Sequence, residues 1–126
     1  MSTLVRTGKI SRFFKVLGEP FRVQVLLALA EGEACVCHLE RLLGKRQAYI
    51  SQHLMALRQA GILQTRREGK YVFYGLKDRA TLELVHHASQ LTGLAKPAVD
   101  KDRVRRKRLD CDCPSCGDAK AISTGG

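Results

Sequence analysis

"QAYISQHLMALRQAGILQTRREGKYVFYGL" (residues 47–76) changes its hydrophobic period halfway along. In the first half, apolar side chains recur at helical spacing, which predicts a helix from about Gln47 to Ala60 with Gly61 as its cap. The second half contains two β-prone runs on either side of a short polar segment. Gly69 in that segment can adopt the positive φ that a tight turn requires, so we predict a β-hairpin from Ile62 to Leu76.

The sequence on either side of this stretch predicts four more helices. The apolar spacing from Ile10 to Leu17 indicates an amphipathic helix, and the run from Phe21 to Ala30 is apolar enough for a core helix. A third helix is expected from about Cys35 to Leu43, where Gly44 ends it. The last helix is expected to follow Asp78, its N-cap, and to end at about Thr92.

The order helix, short turn, helix, β-hairpin is that of a winged helix-turn-helix. We therefore predict a mainly α fold with a small β-hairpin, formed by one domain of residues 1–95. Residues 96–126 are charged and poor in large apolar side chains, so we expect a flexible, basic, cysteine-containing tail there. Its run Arg103–Arg108 has two open interpretations, a contact with DNA phosphates or a solvated linker.

The chain is strongly basic, with 22 Lys and Arg residues against 12 Asp and Glu residues and a net charge of +10. A small basic protein most often binds a polyanion, and nucleic acid is the first candidate; the alternative is a solvated basic surface. No run approaches the ~18–20 apolar residues of a membrane span, and the first residues lack the apolar region of a signal peptide. We therefore expect no membrane partner and a cytoplasmic protein with reduced thiols. In that setting the five cysteines suggest metal binding or redox sensing before structural disulfides.

The second helix of the predicted helix-turn-helix has the side chains of a recognition helix. Planar or short hydrogen-bonding groups at its N-terminal end suit base edges in the major groove: Gln47, Tyr49, Ser51, Gln52 and His53. Basic residues beside it are placed for phosphates: Lys45, Arg46 and Arg58. The tip of the wing is a second basic projection: Arg66, Arg67 and Lys70. Each of these side chains also has a plainer interpretation as solvated surface or hairpin packing.

Two cysteine clusters lie far apart in the sequence. Cys35 and Cys37 stand at the start of the third predicted helix, where the helix N-terminus favours thiolates. Side chains at i and i+2 point about 200° apart on a regular helix, so the two sulfurs converge only if Cys35 lies in a non-helical cap or the first turn deforms. The second cluster is "CDCPSC", with Cys111, Cys113 and Cys116. Each cluster also has a plainer interpretation, as buried packing for the first and as an idle part of the tail for the second.

The stretch "ACVCHLERLLGKRQAYISQHLMALRQAGILQTRREGKYVFYGL" (residues 34–76) closely resembles the ArsR/SmtB family of metal-responsive repressors. "SQHLMALRQAGIL" and "RREGKYVFY" are similar to the family's recognition helix and wing, and "CVC" resembles the Cys-Val-Cys box of its arsenic- and cadmium-type sensors. The resemblance implies a homodimer joined through the first and last helices. It also implies double-stranded operator DNA with a palindromic site, released when an inducer binds.

The sequence departs from the family's thiol pattern at one position. The arsenic-type box often has a third cysteine three residues after the second, and here that position is Glu40. No cysteine precedes Cys35, so an N-terminal arm cannot complete the site as in cadmium-type relatives. The tail thiols can complete the Cys35/Cys37 site, because the segment from Gly93 to Cys111 spans up to ~60 Å when extended. Whether they complete this site or form a separate one stays open.

The sequence thus predicts a repressor inactivated by a thiophilic metal(loid) ion bound at Cys35, Cys37, Cys111, Cys113 and Cys116. Three sulfurs suit As(III) or Sb(III), which we favour, and four suit Cd(II), Pb(II) or Zn(II). A thiol-redox sensor of the same fold is the alternative, because Cys113 and Cys116 form a C-x-x-C pair. We expect no enzyme, since this pair lacks a βαβ context. We also expect no Zn or Ni site on the last helix, where His86 and His87 read as surface or interface residues.

Overall fold

The computed structural model describes residues 3–94 of the 126-residue chain. The predicted tail and its three cysteines therefore lie outside the described residues. Five helices and three strands follow one another along the chain: α1 (Thr3–Leu17), α2 (Pro20–Ala28), β1 (Ala34–Cys35), α3 (Val36–Leu43), α4 (Gln47–Gln59), β2 (Leu63–Glu68), β3 (Tyr71–Leu76) and α5 (Ala80–Leu91). No helix within residues 3–94 has the length and apolar character needed to cross a bilayer.

Local sequence signals explain where several helices begin and end. Pro20 begins α2, where its missing N–H removes no helical hydrogen bond. Gly44 ends α3 at a φ of 69°, in the left-handed region that glycine adopts without a steric penalty, and its N–H donates to the Glu40 carbonyl over 2.9 Å. Arg79, and not the predicted Asp78, immediately precedes α5, but Asp78 Oδ1 accepts a hydrogen bond from the Ala80 N–H over 2.9 Å at the start of the helix. These signals confirm the predicted order of helices.

One apolar core joins the helices to the base of the wing. Side chains of α2, α3 and α4 are completely buried in it: Val25, Leu26, Leu39, Ile50, Leu54 and Leu57. Ile62 and Leu63 extend the same core into the start of the hairpin. Full burial of one such aliphatic side chain contributes roughly 1.5–3 kcal/mol, so this cluster fixes the angle between α3 and α4. Helix α2 thus packs against both helices of the helix-turn-helix.

The predicted hairpin is confirmed, but it belongs to a sheet of three strands in the order β1-β3-β2. Strands β2 and β3 pair in antiparallel register from Leu63↔Leu76 to Glu68↔Tyr71, with Gly69 in the turn at a φ of 60°. On the other side of β3, Ala34 pairs with Tyr74 and Cys35 with Phe73. Strand β1 was not predicted, because two residues are too few to show an alternating pattern. It ties the start of α3 directly to the wing.

The structure also corrects two predicted boundaries. Helix α1 begins at Thr3, seven residues before Ile10, where the apolar pattern starts. Helix α3 begins at Val36, and Cys35 is the extended residue that precedes it. The overall arrangement is nevertheless the predicted winged helix-turn-helix, with α3 and α4 as the helix pair and β2–β3 as the wing.

Candidate DNA interface and thiol site

The N-terminal end of α4 presents a polar and basic surface. Lys45 and Arg46 lie immediately before the helix and are exposed, as are Gln47, Tyr49 and Gln52 on it. Ser51 is half-buried. Arg58 is exposed near the C-terminal end of the same helix. The structure thus leaves six of the residues predicted to contact DNA exposed on α4 or immediately before it.

Tyr49 packs against an aromatic cluster formed with Phe21 and His53. Its ring lies 4.9 Å from the ring of Phe21 on α2 and 4.7 Å from the ring of His53 one turn further along α4, both in edge-to-face geometry. Lys45 places its ammonium group 5.6 Å from the centre of the same ring. Because Phe21 is buried and Tyr49 is 39% exposed, the cluster joins the core to the surface. It limits the directions that Tyr49 can take.

His53 is held by a residue that no sequence pattern singled out. Arg22 Nε donates a hydrogen bond to His53 Nδ1 over 3.0 Å, and Arg22 Nη1 donates to the Val16 carbonyl over 3.0 Å. Burial lowers the pKa of His53, and the charge of Arg22 lowers it further, against a smaller opposite effect of Glu19. His53 is half-buried, and its Nδ1 is the acceptor of the Arg22 hydrogen bond. Its predicted contact with a base stays a prediction, and its visible partners are Arg22, Phe21 and Tyr49.

The basic residues of the wing are placed differently from one another. Arg67 near the end of β2 and Lys70 in the turn are both exposed, with the Lys70 ammonium 5.4 Å from the ring of Tyr71. Arg66 lies one residue further down β2. Its Nε donates to Glu33 Oε1 over 2.9 Å and its Nη1 to Glu68 Oε2 over 3.0 Å. The hydrogen bonds to Glu68 and Glu33 raise the pKa of Arg66.

The two thiols of the Cys-Val-Cys stretch converge. Cys35 is the N-cap of α3, with φ −82° and ψ 166°, so its side chain is not on the helical spiral. Its Sγ lies 2.8 Å from the Sγ of Cys37 and accepts a hydrogen bond from the His38 N–H over 3.4 Å. The expectation that Cys35 must be in a non-helical cap for the sulfurs to converge is confirmed. A sulfur thus takes the place that a Ser, Thr or Asp oxygen has at most helix starts.

The thiol pair is a partial ligand set rather than a complete one. Within residues 3–94, no group of three or more His, Cys, Asp or Glu side chains is arranged to hold a metal ion. The thiolates of Cys35 and Cys37 are soft donors that could fill two coordination positions of a thiophilic ion. The predicted ligands Cys111, Cys113 and Cys116 lie outside the described residues.

The last helix carries the two histidines that the sequence analysis set aside. His86 is half-buried and its carbonyl accepts a hydrogen bond from the Ser89 hydroxyl over 2.7 Å, whereas His87 is exposed. Asp78 accepts a hydrogen bond from the Ala80 N–H at the start of α5.

Large apolar side chains are exposed on the first and last helices. Ile10 and Phe14 on α1 are 56% and 54% accessible, and Leu91 on α5 is 88% accessible.

Comparisons with known proteins agree with this architecture. The model of the bacterial regulatory protein arsR family matches residues 19–65. An HTH-type transcriptional regulator of Methanocaldococcus jannaschii is 39% identical over 84 residues, which cover 66% of this chain and 94% of that protein. A cadmium resistance transcriptional regulatory protein CadC homolog of Staphylococcus aureus is 38% identical over 80 residues, with 63% and 66% covered.

Two further similarities concern repression and assembly. The arsenical resistance operon repressor of Escherichia coli is 44% identical over 66 residues, which cover 52% of this chain and 56% of that protein. Among solved structures, the homodimeric winged helix-turn-helix DNA-binding domain of a possible ArsR-family regulator from Mycobacterium bovis superposes with a TM-score of 0.67 at 25% identity. That match covers 74% of this chain and 88% of the other.

Proposed function

The chain belongs to the arsR family of bacterial regulatory proteins, and on that basis we propose that it is a DNA-binding repressor released from its operator by a thiophilic metal(loid) ion. The observation that carries the proposal is the convergence of Cys35 and Cys37 at the cap of α3, with their sulfurs 2.8 Å apart. Helix α3 is the first helix of the helix-turn-helix. An ion that binds there acts on the element that positions the recognition helix.

The surface of α4 and the wing supports the DNA-binding half of the proposal. Gln47, Tyr49, Ser51, Gln52 and His53 are the proposed base-reading end of α4, with Tyr49 supported by His53 and Phe21. The proposed phosphate contacts are all exposed cations. Lys45 and Arg46 lie just before α4, Arg58 lies near its C-terminal end, and Arg67 and Lys70 lie at or beside the turn of the wing. Arg66 is a weaker candidate, since Glu33 and Glu68 engage its guanidinium.

A homodimer is proposed as the DNA-binding unit. The relative from Mycobacterium bovis is described as homodimeric. In this chain, exposed Ile10 and Phe14 on α1 and Leu91 on α5 form apolar surface that association would bury. A two-fold dimer binds two half-sites of a palindromic operator about one helical turn of DNA apart.

The inducer is proposed to be As(III) or Sb(III). Cys35 and Cys37 supply two thiolates, and the third is proposed to come from Cys111, Cys113 or Cys116. Cd(II), Pb(II) or Zn(II) would need four ligands and thus two of the tail thiols. The relatives include an arsenical resistance operon repressor and a cadmium resistance regulator, so both classes of ion belong in the test.

The proposed mechanism is a shift between two dimer states. Bridging Cys35 and Cys37 changes the start of α3, and the packed core between α3 and α4 conveys that change to the recognition helix. A coupling free energy of roughly 1–3 kcal/mol corresponds to DNA binding that is about 5–150-fold weaker with the ion bound.

A thiol-redox sensor is the second candidate, and one observation favours it. The Sγ atoms of Cys35 and Cys37 lie 2.8 Å apart, so oxidation chemistry at this cap is geometrically accessible. The fold and the DNA interface would be the same, and only the signal would differ.

The test is fluorescence anisotropy of the fully reduced protein on labelled DNA from upstream of its own gene, without oxygen. As(III), Sb(III), Cd(II), Zn(II) and peroxide are titrated in separately. We expect release by As(III) or Sb(III), lost in Cys35→Ser and Cys37→Ser. A variant with serine at positions 111, 113 and 116 shows whether the tail completes the site. Release by peroxide alone, with every ion inert, would establish the redox candidate instead.

A further inference from the structure

An ion pair joins the segment before the thiols to the wing. Glu33 lies two residues before Cys35, and its Oε1 is 2.9 Å from Nε of Arg66 on β2. The two residues are 33 positions apart in sequence, so the pair closes a long loop between the start of β1 and the wing. Both side chains are partly exposed, with 50% of Arg66 and 40% of Glu33 accessible. An exposed pair of this kind contributes little to stability, which raises the question of what else it does.

Phe73 lies between the thiol site and Arg66. It pairs with Cys35 on one side of β3 and with Arg66 on the other. Residues directly opposed on antiparallel strands place their side chains on the same face of the sheet. Phe73 and Cys35 accordingly form one buried cluster, and the Arg66 guanidinium lies 4.7 Å over the Phe73 ring. One row of side chains therefore runs from Cys35 to the wing cation.

Gly75 supplies the space in which Glu33 reaches Arg66. A Cβ atom at Gly75 would lie only 3.2 Å from Cγ of Glu33. Gly75 is buried in β3, two residues from Phe73, and a methyl group there would shift the Glu33 side chain slightly. An added Cβ would thus press on the Glu33 side chain, which would have to shift by a few tenths of an ångström.

We propose that the Glu33–Arg66 ion pair, seated over Gly75, transmits inducer binding at Cys35 to the wing. Glu33 is then a positioning residue for the allosteric response. An ion that bridges Cys35 and Cys37 moves Cys35, and with it the short segment back to Glu33. The carboxylate that holds Arg66 moves as well, so the guanidinium and β2 change position together. The inference rests on the proposed function, because it takes Cys35 and Cys37 as the inducer site.

The test compares DNA affinity with and without the inducing ion in reduced full-length protein. In wild type, the ratio of the two dissociation constants measures the coupling. Glu33→Gln keeps the size of the side chain and removes its charge. We expect it to reduce the ratio by about threefold or more, a change in the range that residues of coupled networks produce. The affinity of the DNA-free protein for As(III) or Cd(II), followed by sulfur-to-metal absorption, should stay within about twofold of wild type.

Glu68→Gln is the matched control, because it removes the other carboxylate on Arg66 without touching the segment before Cys35. It should keep the wild-type ratio. Gly75→Ala displaces Glu33 by a different route and should reduce the ratio as Glu33→Gln does. If Gly75→Ala does not fold, Glu33→Gln alone decides.

The two proposals fail in different ways. A wild-type ratio retained in Glu33→Gln, while Cys35→Ser abolishes release, overturns the ion-pair proposal and leaves the thiol site intact. An equal loss of ratio in Glu33→Gln and Glu68→Gln also overturns it. The loss would then follow from removing either carboxylate partner of Arg66, and not from the connection between Glu33 and Cys35. Release that persists in Cys35→Ser overturns the proposed function itself.

Discussion

Arg22 Nε donates a hydrogen bond to His53 Nδ1 over 3.0 Å, and this bond joins α2 to the recognition helix α4. Because Arg22 Nη1 also binds the Val16 carbonyl, one guanidinium connects α1, α2 and α4. The acceptor atom on His53 exists only while the imidazole is neutral. The hydrogen bond between α2 and α4 therefore depends on the protonation state of His53.

Stability should fall as the pH is lowered through the range in which His53 titrates. Burial, and then the Arg22 charge, place the pKa of folded His53 below its ordinary value of about 6.5. The unfolded chain then takes up the proton first as the pH falls. The contribution of neutral His53 is complete above about pH 6.5 and is lost as the pH falls through the folded-state pKa.

Urea unfolding between pH 7.5 and pH 5 measures this effect. We expect the free energy of unfolding to decrease with falling pH in wild type and to decrease less in His53→Asn, whose amide oxygen can accept the Arg22 bond without titrating. His87→Asn, at an exposed position on α5, is the control and should follow wild type. Equal slopes in all three proteins would contradict the assignment.

Truncating a buried side chain of α4 should lower the free energy of unfolding far more than truncating the exposed side chain next to it. Leu54 is completely buried, so Leu54→Ala should lower the free energy of unfolding by roughly 2–5 kcal/mol through lost burial and a cavity. Met55 is the next residue and is 59% exposed, so Met55→Ala should change it by about 0.5 kcal/mol or less. Thermal or urea unfolding of the two variants checks the orientation of the recognition helix.

Two exposed residues should separate base reading from phosphate binding. Gln52→Ala on α4 should weaken binding to the operator by roughly 1–3 kcal/mol and leave binding to unrelated DNA unchanged. Lys70→Gln at the wing turn should weaken binding to both DNAs alike and reduce the slope of log affinity against log salt by about 1. Anisotropy titrations on both DNAs at several salt concentrations distinguish these patterns, and a reversal of the two would exchange the assigned roles.

The sequence predicts those parts of the molecule whose signals are local. The change of hydrophobic period at Gly61 and the glycine at position 69 suffice for α4 and the wing. The cap position of Cys35 follows from the geometry that two convergent thiols need. Contacts across the fold have no such signal: Arg22 meets His53 across 31 positions and Glu33 meets Arg66 across 33. Strand β1 forms only because β3 lies beside it, so its two residues carry no pattern of their own.

The last prediction separates the two roles of Cys35, as a helix cap and as a proposed ligand. Its Sγ accepts the His38 N–H bond, and a serine hydroxyl accepts the same bond as well or better. Cys35→Ser should therefore keep the stability and DNA affinity of the wild type and lose the response to As(III) or Cd(II). Cys35→Ala should lose the response too, and in addition have a free energy of unfolding roughly 0.5–2 kcal/mol below that of Cys35→Ser because the cap is gone.

Urea unfolding and inducer titrations on the same preparations of Cys35→Ser and Cys35→Ala measure both effects. Glu40→Cys, which restores the third position of the arsenic-type box, is the complementary variant: it should bind As(III) more tightly than wild type and respond without any tail cysteine. A Cys35→Ser variant that still releases DNA on adding the ion would remove Cys35 from the ligand set. Equal unfolding free energies for the serine and alanine variants would instead remove its role as a cap. The two results are independent, because capping requires only an acceptor at position 35, whereas ion binding requires the sulfur.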